Sequence, residues 1–355
     1  MGAIALSPTN IVNNQLTYDK ENTYISMSKY EESPEIMIKR GDVIFVKTGS
    51  TVGKVAYVDK MICKTTLNPQ VVVLKDIKCD NYILSVIMST RKFQNKIQRI
   101  TVGGAVPTLS QMAMGNIFIS LPAAKEQEKI SKFISLIDER IATQNKIIED
   151  LKKLKSAIIE KHYCKVEKQI ACVGDLGEPF SVGNLAKDDL TETGIPCVIY
   201  GELFTTYGET ISQIESHTYK TEGIILSKKG DLLFPSSTTV DAMSLIAPSV
   251  INMDGVILGG DMFGIHISPN FNAQYLSYYF NHIAKRQLAK FAKGSTIIHL
   301  HYADIEKAKL LLPSLEEQNR MAKCLVTLDD KIKKERTFFD LLNSQKAYLL
   351  CHMFI

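Results

Sequence analysis

Apolar residues recur in alternating steps of four and three along two long stretches of the chain, one near its middle and one toward its end. This is the heptad spacing by which a stripe on one α-helix packs against another helix. Each stretch predicts a helix of about 35–40 residues, or about 50–60 Å in length. The stripe positions are Ile130, Ile134, Ile137, Ile141, Ile148, Leu151 and Ile158 in the first stretch, and Met321, Leu325, Leu328, Ile332, Phe339, Leu342 and Leu349 in the second.

Polar residues occupy the remaining positions of each stripe, Gln144 and Lys155 in the first and Glu335 and Lys346 in the second. Two interpretations fit, since each helix could pack on its own neighbouring block or the two helices could pack on each other. Ordinary helices average about 11–12 residues, so the length of these two favours their packing on each other. Duplicated units related by a twofold axis would pair such helices antiparallel.

The rest of the chain predicts mixed α and β structure. Residues 42–47, 71–74 and 224–226 form short runs rich in β-branched side chains and bounded by Gly, Asp or Pro, as is typical of strands. Residues 81–96 and 274–293 each predict a helix with a basic end that leads into a glycine-bearing loop. The expected fold class is therefore α+β, built from strand-rich blocks and long helices.

The two halves of the chain are similar in sequence. LPAAKEQEKISKFISLIDERI at 121–141 aligns without a gap with LPSLEEQNRMAKCLVTLDDKI at 312–332, an offset of 191 residues. Gly103 and Gly294, in the two glycine loops, keep that offset, and further upstream a Gly-Asp pair matches at an offset of 189. An ordered set of matches on nearly one offset indicates an internal duplication.

Composition narrows the class of protein. The chain has 355 residues, 45% of them hydrophobic, which is enough for two or three domains with ordinary cores. No apolar run approaches the roughly 20 residues that span a bilayer, and the first residues lack the features of a secretory signal. Seven cysteines without a CxxC pair indicate reduced thiols, so we expect a cytoplasmic protein without membrane contact. The net charge of +4 is compatible with a nucleic-acid partner.

Two short motifs suggest nucleotide binding and metal binding, but each fits that role poorly. KTGSTVGK at 47–54 resembles a P-loop, yet its glycines are one residue too close and Val55 stands where Ser or Thr would bind magnesium. It predicts a turn whose polar side chains could contact phosphate. His299 and His301 offer two imidazoles without a third ligand nearby, so DNA contacts or ordinary loop packing fit them better than a metal site. The sequence shows no nucleophile, methyltransferase or hydrolase signature, which indicates a protein without catalysis.

The repeated order of Gly-Asp strand, basic helix, glycine loop, LPxxxEQ entry and long helix resembles the specificity subunit of type I restriction-modification systems. Residues 121–138 and 312–329 resemble that family's central and C-terminal conserved regions. The resemblance implies two mixed α/β target recognition domains separated by two long antiparallel helices. The implied segments are target recognition domain 1 at 1–122, the central conserved helix at 123–163, target recognition domain 2 at 164–313 and the C-terminal conserved helix at 314–355.

The resemblance also implies function and partners. The chain would read the two halves of a split double-stranded DNA target and direct two DNA adenine methyltransferase subunits and ATP-dependent restriction and translocase subunits. Those partners would use S-adenosylmethionine, ATP and Mg²⁺, whereas this chain would hold no cofactor or metal. The alternatives are a truncated or phase-variable protein with half activity, and a coiled-coil assembly scaffold that does not bind DNA. A DNA recognition subunit should bind duplex DNA with a steep salt dependence, whereas a scaffold should not.

Individual base contacts cannot be transferred from the family, so the candidate DNA-binding residues come from loop position and side-chain chemistry. In the first block these are Lys47, Thr48, Ser50, Thr51, Lys54, Gly103, Gly104, Thr108 and Ser110. In the second block they are Ser236, Ser237, Thr238, Thr239, Lys290, Lys293, Gly294, Ser295, Thr296, His299 and His301.

The two blocks are not expected to be equally complete. Residues 1–4 align with the region around 193–195, and the first predicted strand of the second block follows 194–196. By this alignment the first copy lacks about 25–30 residues at its start. We therefore expect a truncated first recognition domain with a weaker fold and weaker DNA contacts.

Overall fold

The computed structural model describes residues 2–18 and 22–353. Its internal contacts divide the chain into unit 1, which is Met1–Asn145 with Thr337–Ile355, and unit 2, which is Lys146–Arg336. Each unit thus contains the first half of one long helix and the second half of the other. The four functional segments drawn from the sequence stay a prediction.

Besides its parts of the long helices, unit 1 contains short strands and short helices. One sheet has the order β4-β1-β7 and another the order β2-β3-β6-β5-β8. The strands are β1 (Ala3–Leu6), β2 (Ile11–Val12), β3 (Gln15–Leu16), β4 (Thr23–Ile25), β5 (Val43–Val46), β6 (Val55–Tyr57), β7 (Thr65–Leu67) and β8 (Val71–Leu74); the helices are α1 (Met27–Glu31), α2 (Asn81–Ser89), α3 (Arg91–Ile100) and α4 (Gln111–Gly115).

The single helix predicted over 81–96 is wrong, because α2 and α3 are separate. Thr90 lies between them with φ −66° and ψ 149°, an extended conformation that ends α2. Its hydroxyl accepts a hydrogen bond from the amide of Phe93, so the same residue begins α3. The amphipathic pattern in the sequence is continuous and predicts one helix, but Thr90 caps a new helix and so divides it in two.

Unit 2 repeats this plan with additional strands. The long helix α5 (Ala124–Lys165) leads into it and the long helix α11 (Leu315–Met353) leads out. Its sheets have the orders β10-β20-β16-β18-β13 and β11-β14-β12-β19-β15, with pairs β17-β21 and β22-β9. The strands are β9 (Gln169–Cys172), β10 (Gly177–Ser181), β11 (Leu190–Thr191), β12 (Ile195–Ile199), β13 (Thr210–Ile211), β14 (Ser216–Thr218), β15 (Ile225–Leu226), β16 (Asp231–Pro235), β17 (Ser237–Thr238), β18 (Ser249–Ile251), β19 (Ile257–Gly259), β20 (Met262–Ile267), β21 (Ile298–His299) and β22 (Lys309–Leu312); the short helices are α6 (Glu202–Thr205), α7 (Ala242–Leu245), α8 (Ala273–Tyr279), α9 (Lys285–Leu288) and α10 (Tyr302–Ile305).

The expectation that unit 2 has no strand before 194–196 is also wrong. Strands β9, β10 and β11 precede that point. Strand β10 contains Gly177 and Pro179, which argue against a strand in the sequence, but β10 is an edge strand that pairs with β20. An edge position tolerates proline because one side of the strand makes no ladder hydrogen bonds.

The basic helix predicted over 274–293 is helical but not uniform. Helix α8 passes through a π-helical turn at Phe280–Ala284 into α9, and a 3-10 turn at Ala289–Phe291 follows. The helical path therefore ends near the predicted place and delivers the chain to the glycine loop.

The two long helices are antiparallel, as the heptads predict. In unit 1 the ammonium of Lys346, late in α11, forms an ion pair with Asp138, early in α5. In unit 2 the ammonium of Lys155, late in α5, lies 2.7 Å from a carboxylate oxygen of Asp329, early in α11. Early residues of each helix thus meet late residues of the other. The stripe residues are buried or half-buried in both units, and their assignment as the pairing set stays a prediction.

A tyrosine completes each ion pair. The hydroxyl of Tyr82 on α2 donates to Asp138 at 2.7 Å, and the hydroxyl of Tyr278 on α8 donates to Asp329 at 2.6 Å. Each long helix is therefore bonded both to the helix of its own block and to the partner long helix. We call these contacts the Tyr-Asp-Lys locks.

The repeated glutamine of the LPxxxEQ entry has a specific structural role. The Gln127 side chain accepts a hydrogen bond from the amide of Asp80, which begins α2, and donates to the Pro122 carbonyl at 2.8 Å. Gln318 in unit 2 repeats both contacts, accepting from Asn272 at the start of α8 and donating to the Pro313 carbonyl at 2.9 Å. Each glutamine thus joins the start of a long helix to the start of the helix in its block.

Candidate nucleic-acid interface

In unit 2 the turn after β16 and the glycine loop lie side by side. Strands β17 and β21 pair antiparallel, with Ser237 opposite His299. The Leu300 amide donates to the Ser236 carbonyl at 2.9 Å, which extends this pairing by one residue. Lys293 and His299 exchange two backbone hydrogen bonds, which closes the glycine loop at its base. The two segments chosen from the sequence thus form one continuous edge.

The tip of this loop requires glycine. Gly294 has φ +117°, and a Cβ atom there would lie 2.0 Å from the Ile297 carbonyl oxygen. Side chains other than hydrogen would therefore strain the backbone and collide with it. The exposed residues Ser295 and Thr296 project from this tight loop.

Unit 1 builds the same edge from different residues. The Leu109 amide donates to the Lys47 carbonyl at 2.8 Å, and the Gly49 amide donates to the Pro107 carbonyl at 2.9 Å. Gly103 has φ +109°, and a Cβ there would lie 2.7 Å from the Val106 carbonyl oxygen. The turn at 47–54 therefore packs on the glycine loop of its own unit.

Several candidate side chains are free to contact a ligand and several are not. Exposed candidates are Ser50, Gly103, Gly104, Thr108, Thr239, Lys290, Gly294, Ser295, Thr296, His299 and His301, while Lys47, Thr48, Thr51 and Thr238 are half-buried. Ser236 and Ser237 are only 3% and 7% exposed, so their side chains lie inside the edge.

Other candidates have partners within the protein. The Lys54 ammonium donates to the Ile11 carbonyl at 3.3 Å, and Ser110 accepts from the Ala113 amide as the cap of α4. Lys293 forms an ion pair with Asp304, which lowers the pKa of that carboxyl group. Lys290 is exposed, and within residues 2–18 and 22–353 its ammonium has no ion-pair or hydrogen-bond partner, so it is the better candidate for a phosphate contact.

The two motifs that suggested other chemistry are parts of these edges. The P-loop-like turn has positive φ at Gly49 and Gly53, and its amides bond within unit 1. The imidazole rings of His299 and His301 stack with centroids 6.2 Å apart. In residues 2–18 and 22–353, no three His, Cys, Asp or Glu side chains come together as a metal site would need.

A cleft beside the edge of unit 2 escaped the sequence reasoning. It has a volume of about 760 Å³, and one wall carries Tyr200, Phe204 and Tyr207 from the segment around α6. The lining also includes Thr238 and the basic side chain of Lys285. In the sequence, this cleft is marked only by three aromatic residues within eight positions directly after a strand. Aromatic residues of an ordinary core show the same pattern, so the cleft could not be predicted from it.

Within the described part of the chain, the helices are too short or too polar to cross a membrane. The chain matches the family described as type I restriction modification DNA specificity domain over residues 7–153 and 165–337, one match for each copy of the repeat.

Two curated relatives come from Methanocaldococcus jannaschii. The type I restriction enzyme MjaVIII specificity subunit is 25% identical over 328 residues, which cover 85% of this chain and 75% of the relative. The putative type I restriction enzyme MjaX specificity subunit is 21% identical, with coverage of 88% and 77%.

Solved structures give the same fold. The S subunit of a type I restriction-modification system from M. genitalium matches with a TM-score of 0.60 and 14% identity, covering all of this chain and 92% of that one. A chain from a solved type I R-M system matches with a TM-score of 0.58 and 15% identity, covering all of this chain and 91% of that one. The family match spans most of the chain, so this protein belongs to the type I restriction-modification DNA specificity family and is the non-catalytic specificity subunit of such a system.

Proposed function

We propose that unit 1 and unit 2 each read one half of a bipartite double-stranded DNA target, through the edge formed by the turn and the glycine loop. One repeated contact carries this proposal: the hydrogen bond from Leu109 to Lys47 recurs as the bond from Leu300 to Ser236. Unrelated loops would have no reason to keep the same backbone pairing. Both copies therefore keep this edge, which can serve as a frame for side chains that differ between them.

The two kinds of side chain on the edge of unit 2 suit different contacts. Lys290 is positively charged and exposed, and suits a phosphate oxygen, which gives affinity without sequence information. Ser295 and Thr296 at the loop tip and His299 at the loop base are exposed polar residues, and suit the donors and acceptors of base edges. Sequence preference should therefore depend on the loop, and overall affinity on the lysine.

A type I specificity subunit works in a complex with DNA and with methyltransferase and restriction subunits. We infer that two DNA adenine methyltransferase subunits bind this chain, in keeping with its two repeated halves. They would supply S-adenosylmethionine chemistry, and the ATP-dependent restriction and translocase subunits would use ATP and Mg²⁺. Assembly in the cytoplasm belongs to the same proposal.

The test compares Lys290→Ala with Lys334→Ala, an exposed lysine on α11 outside the edge, in the complex reconstituted with methyltransferase subunits. Duplex binding is measured by fluorescence anisotropy between about 50 and 200 mM salt. Lys290→Ala should weaken binding to all sequences and reduce the salt slope by about one. Equal slopes for the two variants would contradict a phosphate contact at Lys290.

The second measurement follows the bases themselves. Residues 295–297 are exchanged for a different tripeptide, and methylated adenines are mapped across a genome modified by the variant complex. One half of the motif should change while the other half stays the same. A motif changed in both halves, or in neither, would contradict reading by separate edges.

A further inference from the structure

The cleft of unit 2 shares part of its lining with the edge. Residues 237–240 of the turn and Ile297 of the glycine loop belong to both. Val240 and Ile297 are 74% and 49% exposed, so apolar side chains stand where the cleft meets the edge. The volume of about 760 Å³ lies in the range of small-molecule sites. A DNA strand that crosses the edge therefore passes the mouth of this cleft.

Lys285 brings a positive charge to the cleft. Its side chain is half-buried, and in the part of the chain that the structure describes its ammonium has no ion-pair or hydrogen-bond partner. The Ser244 amide and, more weakly, Lys285 lower the pKa of Asp241, whose carboxylate accepts from that amide at 2.7 Å. The carboxylate of Glu209, which also lines the cleft, is paired with Lys155 at 2.9 Å. A partly desolvated cation favours an anionic ligand, so Lys285 suits a phosphate group.

The helical path changes its hydrogen bonding directly before Lys285. Phe280–Ala284 form a π-helical turn, and such turns occur frequently at functional sites. Asn281 of this turn also lines the cleft. Its amide nitrogen donates to the carbonyl groups of Pro248 and Ser277 at 2.7 and 3.0 Å, so its oxygen is the atom that can accept a hydrogen bond from a base edge.

Tyr200, Phe204 and Tyr207 form a side of the cleft that we call the aromatic wall. Phe204 and Tyr207 also pack against cores of unit 2, whereas Tyr200 is 36% exposed. Aromatic rings stack on the faces of nucleobases. Within a duplex, both faces of each base are covered by the neighbouring bases. A base can therefore stack on the aromatic wall only after it has left the helix.

Unit 1 differs from unit 2 at the equivalent places. Gln94 is the counterpart of Lys285 at the repeat offset of 191, and its amide donates to the carbonyl groups of Gly53 and Met88 at 2.8 and 2.6 Å. Residues 7–14, between β1 and β3, contain no aromatic residue, whereas the aromatic wall lies between β12 and β13. The cation and the aromatic wall therefore belong to unit 2 and not to the edge that both copies share.

We propose that the cleft of unit 2 binds one nucleotide turned out of the DNA duplex, with its base on the aromatic wall and its phosphate at Lys285. The inference rests on the proposed reading of DNA by unit 2 and adds a second site beside the edge. The exposed side chain of Ile297 can fill the space that the base leaves, as apolar wedges do between base steps. This nucleotide is distinct from the adenines that the methyltransferase subunits modify, because those must enter the methyltransferase active sites.

The test measures how single mismatches change DNA affinity, in the complex reconstituted with methyltransferase subunits. Each duplex carries the motif found by mapping methylated adenines. One base at a time, outside those adenines, is mismatched by changing its partner on the opposite strand. A mismatch lowers the cost of turning a base out, so at one position in or beside the half-site of unit 2 it should tighten binding about tenfold. At positions that are read within the duplex, a mismatch should not tighten binding.

Three variants show whether the cleft holds that base. Tyr200→Ala should reduce the gain from the mismatch to about threefold or less, because the stacking partner is lost. Lys285→Ala should lower the salt slope on the mismatched duplex by about one. Arg286→Ala changes an exposed neighbour that does not line the cleft, and should keep the full gain.

The outcomes separate this inference from the proposed function. Duplex binding without any mismatch that tightens it would overturn the inference alone. A gain that persisted in Tyr200→Ala, or an unchanged salt slope in Lys285→Ala, would also overturn it, since the base or its phosphate would then lie elsewhere. A complex that bound no duplex would refute the proposed function together with the inference.

Discussion

The two Tyr-Asp-Lys locks differ in how deeply they bury their lysine. Lys155 in unit 2 is 8% exposed, lies 2.9 Å from Glu209 as well as 2.7 Å from Asp329, and sits 4.7 Å from the centre of the Tyr278 ring. Lys346 in unit 1 is 22% exposed and pairs with Asp138. Glu209 directly precedes β13 in unit 2. At the equivalent place in unit 1, directly before β3, the residue is the uncharged Asn14.

This difference shows that burial and charge compensation change together. A cation taken out of water requires compensating partners, and the second carboxylate of unit 2 provides one. Burial alone would raise the pKa of Glu209, but its hydrogen bonds with His282 and Lys155 lower it to about 2. The stability of unit 2 therefore depends more on its ion network, whereas in unit 1 the lysine is partly solvated.

Replacing the lysine of each lock should give the largest contrast between the units. Lys155→Met leaves Glu209 and Asp329 without their cation in a buried site, so we expect a loss of about 3–5 kcal/mol. Lys346→Met removes a more exposed lysine that has a single carboxylate partner, so it should cost less, about 1–3 kcal/mol. Urea denaturation, with hydrogen exchange to assign each unit, measures both. Equal losses would contradict the idea that deeper burial makes unit 2 depend on its lysine.

Acid should weaken unit 2 selectively. The pKa of Glu209 lies near 2 in the folded chain and near 4.5 when unfolded, so the unfolded chain binds the proton first as pH falls. Stability from this group is present above pH 4.5 and is lost between about 4.5 and 2, by up to about 3 kcal/mol. Glu209→Gln should flatten this part of the pH profile of unit 2. A profile unchanged by Glu209→Gln would show that other carboxylates control the acid transition.

The entry glutamines should give a smaller and more symmetrical effect. Gln318→Ala leaves the Asn272 amide and the Pro313 carbonyl without partners in a buried site, at about 1–3 kcal/mol. Gln127→Ala should cost unit 1 a similar amount or slightly less, because Gln127 is somewhat more exposed. Thermal unfolding of both variants measures this. Loss in one unit alone would mean that the repeated glutamine acts in a single copy.

The smallest expected contrast concerns the glycine loops. Gly294→Ala forces a side chain into positive φ and against the Ile297 carbonyl, at about 1–2 kcal/mol, and Gly103→Ala should cost somewhat less because its clash is milder. Gly104→Ala is the control, since a Cβ there has no neighbour within 4 Å. Its expected cost is within about 0.5 kcal/mol. If Gly104→Ala lost as much stability as Gly294→Ala, the backbone conformation at Gly294 would not be the cause of the loss.

Much of the fold could be predicted because its signals are local and repeated. The heptads predicted the long helices, and the common offset predicted that the blocks share one plan. The Gly-Asp pair before each central strand also has a local cause. Asp42 accepts from the Lys39 amide at 2.9 Å and Asp231 accepts from the Lys228 amide at 2.8 Å, so each carboxylate closes the turn that begins its strand.

The candidate site was predicted in part. The turn and the glycine loop of each block were chosen from separate places in the sequence, and they pair in both units. The burial of Ser236 and Ser237 and the pairing of Lys293 with Asp304 were not predictable, because they depend on side chains brought close by the fold. The aromatic wall at Tyr200 was missed for the same reason.

The sequence by itself determined that this chain is a duplicated α+β protein with two long helices, because periodicity and repetition are properties of neighbours along the chain. Only the tertiary structure decided which polar residues hold the helices and which strands pair. Lys155 and Glu209 are far apart in sequence, and their ion pair exists because α5 passes beside the start of β13. Strand β20 likewise pairs with both β10 and β16, and such pairing is set by contacts between distant residues.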